Sequence, residues 1–416
     1  MGKFLVEGQR SLNGSVRING AKNSALKLMV AALLGKGSFR LENVPRITDV
    51  DTMAGVLRAL GVDVSFDSSA MQLDVSSIDG HTPKELVKSM RASVQVMGPL
   101  LARLGSVEVA RPGGCNIGSR PLDIHLAGFE QMGATIDIVG DMYVARAPRL
   151  RGADITFRYP SVGATENIMM AATMAEGETI IRNAAREPEI VDIQAFLNGM
   201  GADIRGAGTP IIRIKGVREL GATDFSVIPD RIEAGTYLLA FLITGGSGRL
   251  ENVIPEHIAP LLELVSAMGA KVVTQERTIT IESPTKLKPF QVSTRPYPGF
   301  PTDLQPQMVA VATQAVGRSE LEEAVFDRRF GYTQELCKLG ADVTVNRSSV
   351  AIDGPTRLTG ASLVAGDLRG GAALVLAALA AEGQSVIHGV AHVDRGYESM
   401  EERLESLGAK ITRIEE

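Results

Sequence analysis

Hydrophobic and polar positions recur along this chain with a long period. A hydrophobic residue, then Gly, then Ala or Val, appears as Leu60-Gly61-Val62, Met132-Gly133-Ala134, Met200-Gly201-Ala202, Met268-Gly269-Ala270, Leu339-Gly340-Ala341 and Leu407-Gly408-Ala409. Neighbouring markers stand 68 to 72 residues apart, so six units of nearly constant length fill the chain. In the first unit, residues 23–34 carry helical apolar spacing, 38–43 read as a strand, and 50–60 predict a second helix ending at glycine, the usual C-terminal stop. Residues 62–66 and 72–75 then read as strands, giving a unit of roughly β-α-β-α-β-β. Later copies repeat the order at 164–175, 178–183 and 190–200, and again at 371–381, 385–388 and 397–407.

A period near 70 residues exceeds that of common solenoids, so the units are expected to pack as small α/β layers rather than as stacked rungs. With 416 residues, the prior is two to three domains. Three units per domain then place the boundary near Pro229-Asp230. Hydrophobic residues at 44% and charged residues at 22% mark a globular chain. Lys and Arg total 43 against 48 Asp and Glu, a formal charge of −5, which argues against a general grip on nucleic acid or anionic membrane. Any anion site must be local. Aromatics at 4% with no Trp also disfavour base-stacking platforms. Lys3, Glu7 and Arg10 interrupt the first residues, so no signal peptide is expected, and the apolar stretches near 237–244 and 372–381 are too short to span a membrane. Cys115 and Cys337 form no C-x-x-C pair, which points to a reducing cytoplasm without zinc or disulfides.

The repeat frame makes equivalent positions comparable within one sequence. At the expected start of the first helix stand Lys22, Arg91, Gly163, Arg231, Asp303 and Arg369. Cations oppose the helix dipole there, so four at matched positions favour an anion site, in which free N–H groups and basic side chains converge, over side chains simply reaching water. At the expected start of the second helix stand Thr48, Pro188, Glu256 and Asp327, but also Arg120 and Arg395, one in each half. An anion held by both would draw two domains together over a substrate. Arg120 follows Arg111-Pro112-Gly113-Gly114-Cys115-Asn116-Ile117-Gly118-Ser119, a glycine-rich loop. Neighbouring cations favour a thiolate, making Cys115 a candidate nucleophile or general acid/base, whereas Cys337 reads as a small buried hydrophobe. Asp303 serves either as a helix cap or as the carboxylate base of a cationic cleft.

Other signals are weaker. His388 and His392 have the spacing of a helical metal pair but fall on an expected strand and loop, so no metal is predicted. Gly35-Lys36-Gly37 lacks the rest of a P-loop, and the glycines at 201, 206 and 208 are wrongly spaced for a dinucleotide fingerprint, so no cofactor is expected. Asp123 and His125 suggest a triad with Cys115, but alternate positions on a helix or turn point apart, so they read as structural polar residues.

Gly20-Ala21-Lys22-Asn23, Met90-Arg91-Ala92-Ser93, the loop from Arg111 through Cys115 to Arg120-Pro121, Ser161-Val162-Gly163-Ala164-Thr165, Pro229-Asp230-Arg231, Phe300-Pro301-Thr302-Asp303 and Asp394-Arg395-Gly396-Tyr397 together carry a full-length resemblance. The chain resembles the UDP-N-acetylglucosamine 1-carboxyvinyltransferases of the enolpyruvyl transferase family. The resemblance implies an inside-out α/β barrel in two three-repeat domains, 22–229 and 1–21 with 230–416, and an active site in the cleft between them. It implies transfer of enolpyruvate from phosphoenolpyruvate to the 3′-hydroxyl of UDP-N-acetylglucosamine with release of phosphate, the first committed step of peptidoglycan synthesis.

Carried over by motif, Lys22, Arg120 and Arg395 would hold phosphoenolpyruvate. Cys115 would protonate the enol methylene, with the capacity to form a covalent thioketal and with sensitivity to the epoxide fosfomycin, and Asp303 would take the proton of the sugar hydroxyl. Asn23, Arg91, Pro121, Leu122, Asp123, Ile124, Ser161, Val162, Gly163, Asp303 and Val325 would line the UDP-sugar pocket, with Asp367 and Arg369 as an interdomain pair. Some relatives carry Lys near the Ser161 motif, where this chain has Arg158-Tyr159-Pro160. The alternatives are the sister enzyme acting on shikimate 3-phosphate, whose sequences lack the Pro-Gly-Gly-Cys loop, and a non-catalytic nucleotide-sugar-binding repeat protein.

Overall fold

The computed structural model describes residues 2–67, 70–78, 91–110, 122–327 and 329–415, with the backbone alone for 91–93. Described residues up to Asn19 and from Pro229 onward form one compact unit, and those from Gly20 to Ile228 form a second.

The marker glycines explain themselves in this geometry. All six have positive φ, from +91° to +107°, a region that L side chains rarely adopt. Each glycine N–H donates to the carbonyl three residues back at 2.9 to 3.0 Å, and the following Ala or Val N–H donates to the carbonyl five residues back at 3.0 to 3.2 Å. These paired bonds form the Schellman helix end, which satisfies carbonyls that the helix leaves free. Val62 with Leu57 and Ala409 with Leu404 are buried, supplying the apolar contact that accompanies the motif.

In the unit 20–228, Asp224–Ser226, Gly37–Glu42, Ala70–Val75 and Asp63–Phe66 form one sheet in that order, and Asp154–Thr156, Glu178–Arg182, Ile211–Lys215 and Asp203–Arg205 form another. Ser106–Ala110, Met142–Arg146 and Thr135–Val139 form a third, of three strands among the described residues. The other unit has three four-stranded sheets of the same plan. Asn13–Arg17 pairs in parallel with Ser247–Glu251, and Lys3–Glu7 lies between Gln384–His388 and Lys410–Ile414 in register Leu5↔Val386 and Leu5↔Thr412. The first strand thus fills the place that a hairpin return strand takes in the other sheets.

Each unit has helices at its centre. Arg231–Ile243 is buried at every position after Arg231, and Leu368–Ala380 from Arg369 to Leu379, because their sequences are apolar on all sides. Lys22–Ala31 and Val162–Ala172 are nearly as enclosed. The strands instead alternate, as in Ile211–Lys215 with Ile212 and Ile214 inward, so one sheet face covers helices and the other meets water.

Four sequence expectations need correction. Thr48 and Pro188 do open second helices, Thr48–Ala59 and Pro188–Gly199, but the later positions do not. Glu256 lies in a 3₁₀ turn, Pro255–Ile258, ahead of the helix Ala259–Ala267, and Asp327 precedes the helix Thr333–Lys338. Arg395 sits in a turn before Met400–Ser406, where Arg413 holds both carboxylate oxygens of Asp394 at 2.6 and 2.9 Å. Cys337 is exposed rather than buried: on so short a helix Leu336 and the following Leu339 face inward, and the cysteine between them faces out.

Candidate functional site

All six matched positions fall at or within two residues of the start of a helical segment. Lys22 and Arg231 are first residues, Gly163 and Arg369 second residues, Arg91 opens the 3₁₀ segment Arg91–Val96, and Asp303 is central in Thr302–Leu304. The unfavourable dipole is offset locally. The Asp230 side chain accepts from the N–H groups of Ile232 and Glu233, and Asp367 accepts from Arg369 and Gly370, so acidic caps precede two of the arginines. Ser161 caps the helix that contains Gly163 by accepting from Ala164 N–H.

The cations do not merely reach water. Lys22 is 8% exposed and its Nζ lies 2.6 Å from Asp49 Oδ2. Arg369 is 4% exposed, and its Nη2 donates to Asp303 Oδ2 at 3.2 Å. Arg231 lies over the Tyr297 ring at 5.6 Å. Asn23, Ser161, Val162, Gly163, Leu122, Ile124, Val325, Asp367 and Arg395 are half-buried, and Asp123 is exposed.

Asp303 is not a helix cap; Pro301 holds that position. Its Oδ1 instead accepts from Arg329 Nη2 at 2.7 Å while Oδ2 accepts from Arg369, so one guanidinium grips each oxygen. Arg329, itself buried, was invisible to the repeat comparison because it has no counterpart at a matched position. Glu323 was missed for the same reason: its buried carboxylate accepts from Thr294 and Thr302 hydroxyls and from Val325 and Phe326 N–H groups. Asp367 and Arg369 were expected as a pair; here Asp367 Oδ1 accepts from the backbone N–H groups of Arg369 and Gly370, while the Arg369 guanidinium donates to Asp303.

Cys115, Arg120, Pro121 and the whole of their glycine-rich loop lie outside the described residues, as does the side chain of Arg91. Asp123 pairs with Arg158, while His125 is buried with Nδ1 3.2 Å from Asn167 Nδ2. His388 ends a strand and His392 ends a 3₁₀ turn.

Three buried acids are strongly perturbed. Burial pushes Glu166 up to about 7 against the opposing pull of Lys27, whose Nζ lies 2.9 Å away. Burial likewise raises Asp192 to about 7, opposed by bonds from Ser24 Oγ and Ile228 N–H. Glu233 rises to about 8 through burial, opposed by Arg403 at 3.4 Å.

The model of the EPSP synthase (3-phosphoshikimate 1-carboxyvinyltransferase) family matches residues 6–404. UDP-N-acetylglucosamine 1-carboxyvinyltransferase 2 of Carboxydothermus hydrogenoformans is 50% identical, with 100% of each chain covered. UDP-N-acetylglucosamine 1-carboxyvinyltransferase 1 of Caldanaerobacter subterraneus subsp. tengcongensis is 48% identical over 99% of each. Among solved structures, the enolpyruvyl transferase NikO from Streptomyces tendae superimposes with TM-score 0.90 at 28% identity, covering 99% of both chains. The EPSP synthase from Acinetobacter baumannii superimposes with TM-score 0.78 at 18% identity over 100% of both, a likeness of fold alone.

Proposed function

The chain belongs to the EPSP synthase family and has its α/β enolpyruvyl transferase fold, and we propose that it moves the enolpyruvyl group of phosphoenolpyruvate onto the 3′-hydroxyl of UDP-N-acetylglucosamine. Phosphate leaves, and the product is committed to peptidoglycan. The observation that carries this reading is the identity of 48 to 50% along essentially the whole length of relatives named for that acceptor. Likeness to EPSP synthase of Acinetobacter baumannii stops at 18%. A transferase reading also displaces that of a passive nucleotide-sugar-binding protein.

In this reading Lys22, Arg120 and Arg395 hold the phosphate and carboxylate of phosphoenolpyruvate. Asp303 accepts the 3′-hydroxyl proton as that oxygen attacks C2, and Cys115 delivers a proton to C3, giving a tetrahedral adduct. Loss of phosphate from C2 and of a proton from C3 then restores the double bond in the product. Asn23, Arg91, Pro121 to Ile124, Ser161 to Gly163 and Val325 bind the UDP-sugar, with Arg369 holding Asp303. The clamped carboxylate supports the assignment of Asp303, since a base must be fixed in direction before it can take one particular proton.

We also read the chain as six copies of one unit, three in each half, arranged as an inside-out α/β barrel; six helix ends of one geometry and six sheets among the described residues support this. The cytoplasm is the proposed compartment: two cysteines suit a reducing setting, and among the described residues no helix is long and apolar enough to cross a membrane.

The test is phosphate release from phosphoenolpyruvate with UDP-N-acetylglucosamine or shikimate 3-phosphate as acceptor, with and without fosfomycin. Release with the UDP-sugar alone, abolished by the epoxide, is expected. Release only with shikimate 3-phosphate favours the sister reaction, and release with neither overturns the proposal. A Cys115→Asp variant is expected to turn over while resisting fosfomycin, because a carboxylic acid supplies the proton without a thiol to alkylate.

A further inference from the structure

Glu323 follows the strand Gly317–Glu322 and is 2% exposed. A carboxylate so enclosed must be compensated by hydrogen bonds. Its Oε1 accepts from Thr294 Oγ1 at 2.8 Å, Val325 N–H at 2.9 Å and Phe326 N–H at 3.1 Å, and its Oε2 accepts from Thr302 Oγ1 at 2.7 Å. Thr302 then passes the constraint on. Having donated its only proton to Glu323, its oxygen accepts from Arg329 Nη1 at 2.9 Å, and Arg329 Nη2 donates to Asp303 Oδ1 at 2.7 Å.

The direction of this chain is set by charge. Arg329 can only donate, so Thr302 must accept on that side and needs an acceptor of its own on the other. A carboxylate at 323 is an acceptor at both oxygens, whereas an amide places a donor against one partner. We propose that Glu323 is a positioning residue for the transfer reaction: through Thr302 it holds the Arg329 guanidinium against Asp303, and through two backbone N–H groups it holds the loop bearing Val325. The proposal rests on the roles given above to Asp303 and Val325. Glu323 itself touches neither reacting atom.

The test compares Thr302→Val, Thr302→Ser, Glu323→Gln and the Glu323→Gln/Thr302→Val pair, each normalised to folded enzyme. Thr302→Val is expected to lower kcat by roughly 10- to 100-fold with KM for the UDP-sugar little changed, since a base displaced by a fraction of an ångström loses rate rather than binding. Thr302→Ser keeps the hydroxyl and is expected within about threefold of the parent, on the scale of one neutral hydrogen bond. Glu323→Gln is expected to lower kcat similarly and also to raise KM, because it loosens the Val325 loop. The double variant should be no slower than Glu323→Gln alone, as expected of residues on one path. An unchanged kcat in Thr302→Val, or a serine variant as slow as the valine, overturns the proposal.

A second readout separates this idea from the assignment of activity. Guanidinium ¹⁵N spectra, with Arg329 identified by its loss in Arg329→Lys, are expected to show restrained rotation at Nη1, the nitrogen that Thr302 holds, in the parent and in Thr302→Ser, and free rotation at Nη1 in Thr302→Val. Restraint surviving in the valine variant refutes the positioning role whether or not the enzyme turns over. Restraint lost together with an inactive parent refutes only the proposed reaction.

Discussion

Within the unit 20–228, Lys27 and Gln95 converge on Glu166 Oε2 at 2.9 and 3.0 Å, while Asn167 spans Gly98 N–H and the Val94 carbonyl. In the other unit, Thr236, Gln307 and Tyr397 bond to one another at 2.9 to 3.1 Å with no formal charge of their own, and the Arg369 guanidinium, itself paired with Asp303, lies over the Tyr397 ring at 5.5 Å. Both clusters are buried on or beside central helices. The difference teaches that this kind of interior accepts either chemistry, a charged pair or a hydrogen-bonded neutral cluster, and tolerates an unpartnered oxygen in both, on Glu166 and on Gln307. A charged solution is the more fragile, because removing one partner strands an ion, whereas a neutral one loses only a hydrogen bond.

Lys27→Met is therefore the largest expected perturbation. Above pH 7, where the Glu166 carboxylate is ionised, it leaves that charge buried without its cation and should lower the stability of its unit by about 3 to 5 kcal/mol. Adding Glu166→Leu should recover most of that loss. Hydrogen exchange in Lys22–Ala31 and Val162–Ala172 locates the effect. Equal loss of protection in Arg231–Ile243 would erase the distinction between the units.

The next effect is a dependence on pH. Glu166 is raised from 4.5 to about 7, so between those values the folded chain keeps a proton that the unfolded chain has released. Stability from this group is fully present below about 4.5, falls as pH rises towards 7, and is flat beyond, by up to about 3 kcal/mol. Glu166→Gln should shrink the slope in urea unfolding of the unit 20–228, leaving the part of the same sign that comes from Asp192, also raised to about 7. Glu233, raised to about 8, should leave a slope of the same sign in the other unit, where it comes from a helix start rather than from the central cluster. A slope unchanged by Glu166→Gln would mean that Glu166 does not hold the extra proton.

Smaller again is Thr236→Val, which removes one member of the neutral cluster. The expected loss is about 1 to 2 kcal/mol, with no new pH dependence between 4 and 8, since Gln307 still donates to Tyr397. A loss matching Lys27→Met would show that the two centres are equally brittle.

How much of this could be read from the sequence follows from the same contrast between shared and single features. Helix ends repeat six times, so Gly61 and its counterparts were legible, as were the matched starts at Lys22, Arg231 and Arg369. Arg329 and Glu323 were not, because each occurs once and burial of a lone charge leaves no periodic trace. Cys337 misled for a related reason: Leu336-Cys337-Lys338-Leu339 has an apolar look, yet its six-residue helix turns Thr333 and Leu336 inward, with Leu339 buried just past its end, and leaves the cysteine outside. The second-helix starts held in Thr48 and Pro188 and failed at Asp327 and Arg395, where Glu323 and Arg413 tie the chain into turns instead. Asn43, Asn183 and Asn252 also went unnoticed. Each ends a strand at φ +55° to +57° and donates to a carbonyl next to the edge strand, at 2.8 to 2.9 Å, a recurrence that the marker frame would have revealed.

The smallest prediction concerns a place where the units should not differ at all. Gly201 and Gly408 end helices in opposite units, at φ +106° and +101°, and a Cβ at Gly201 would meet nothing within 4 Å while one at Gly408 would meet only Ser11 O at 4.0 Å. Space is therefore not the obstacle, and alanine at either site suffers only from the backbone conformation, by roughly 1 kcal/mol. Gly201→Ala and Gly408→Ala should lower the urea midpoints of their own units to a similar extent. A loss several-fold larger at one of them would show that one helix end carries strain the other lacks, and the symmetry of the units would then fail in backbone as well as in core chemistry.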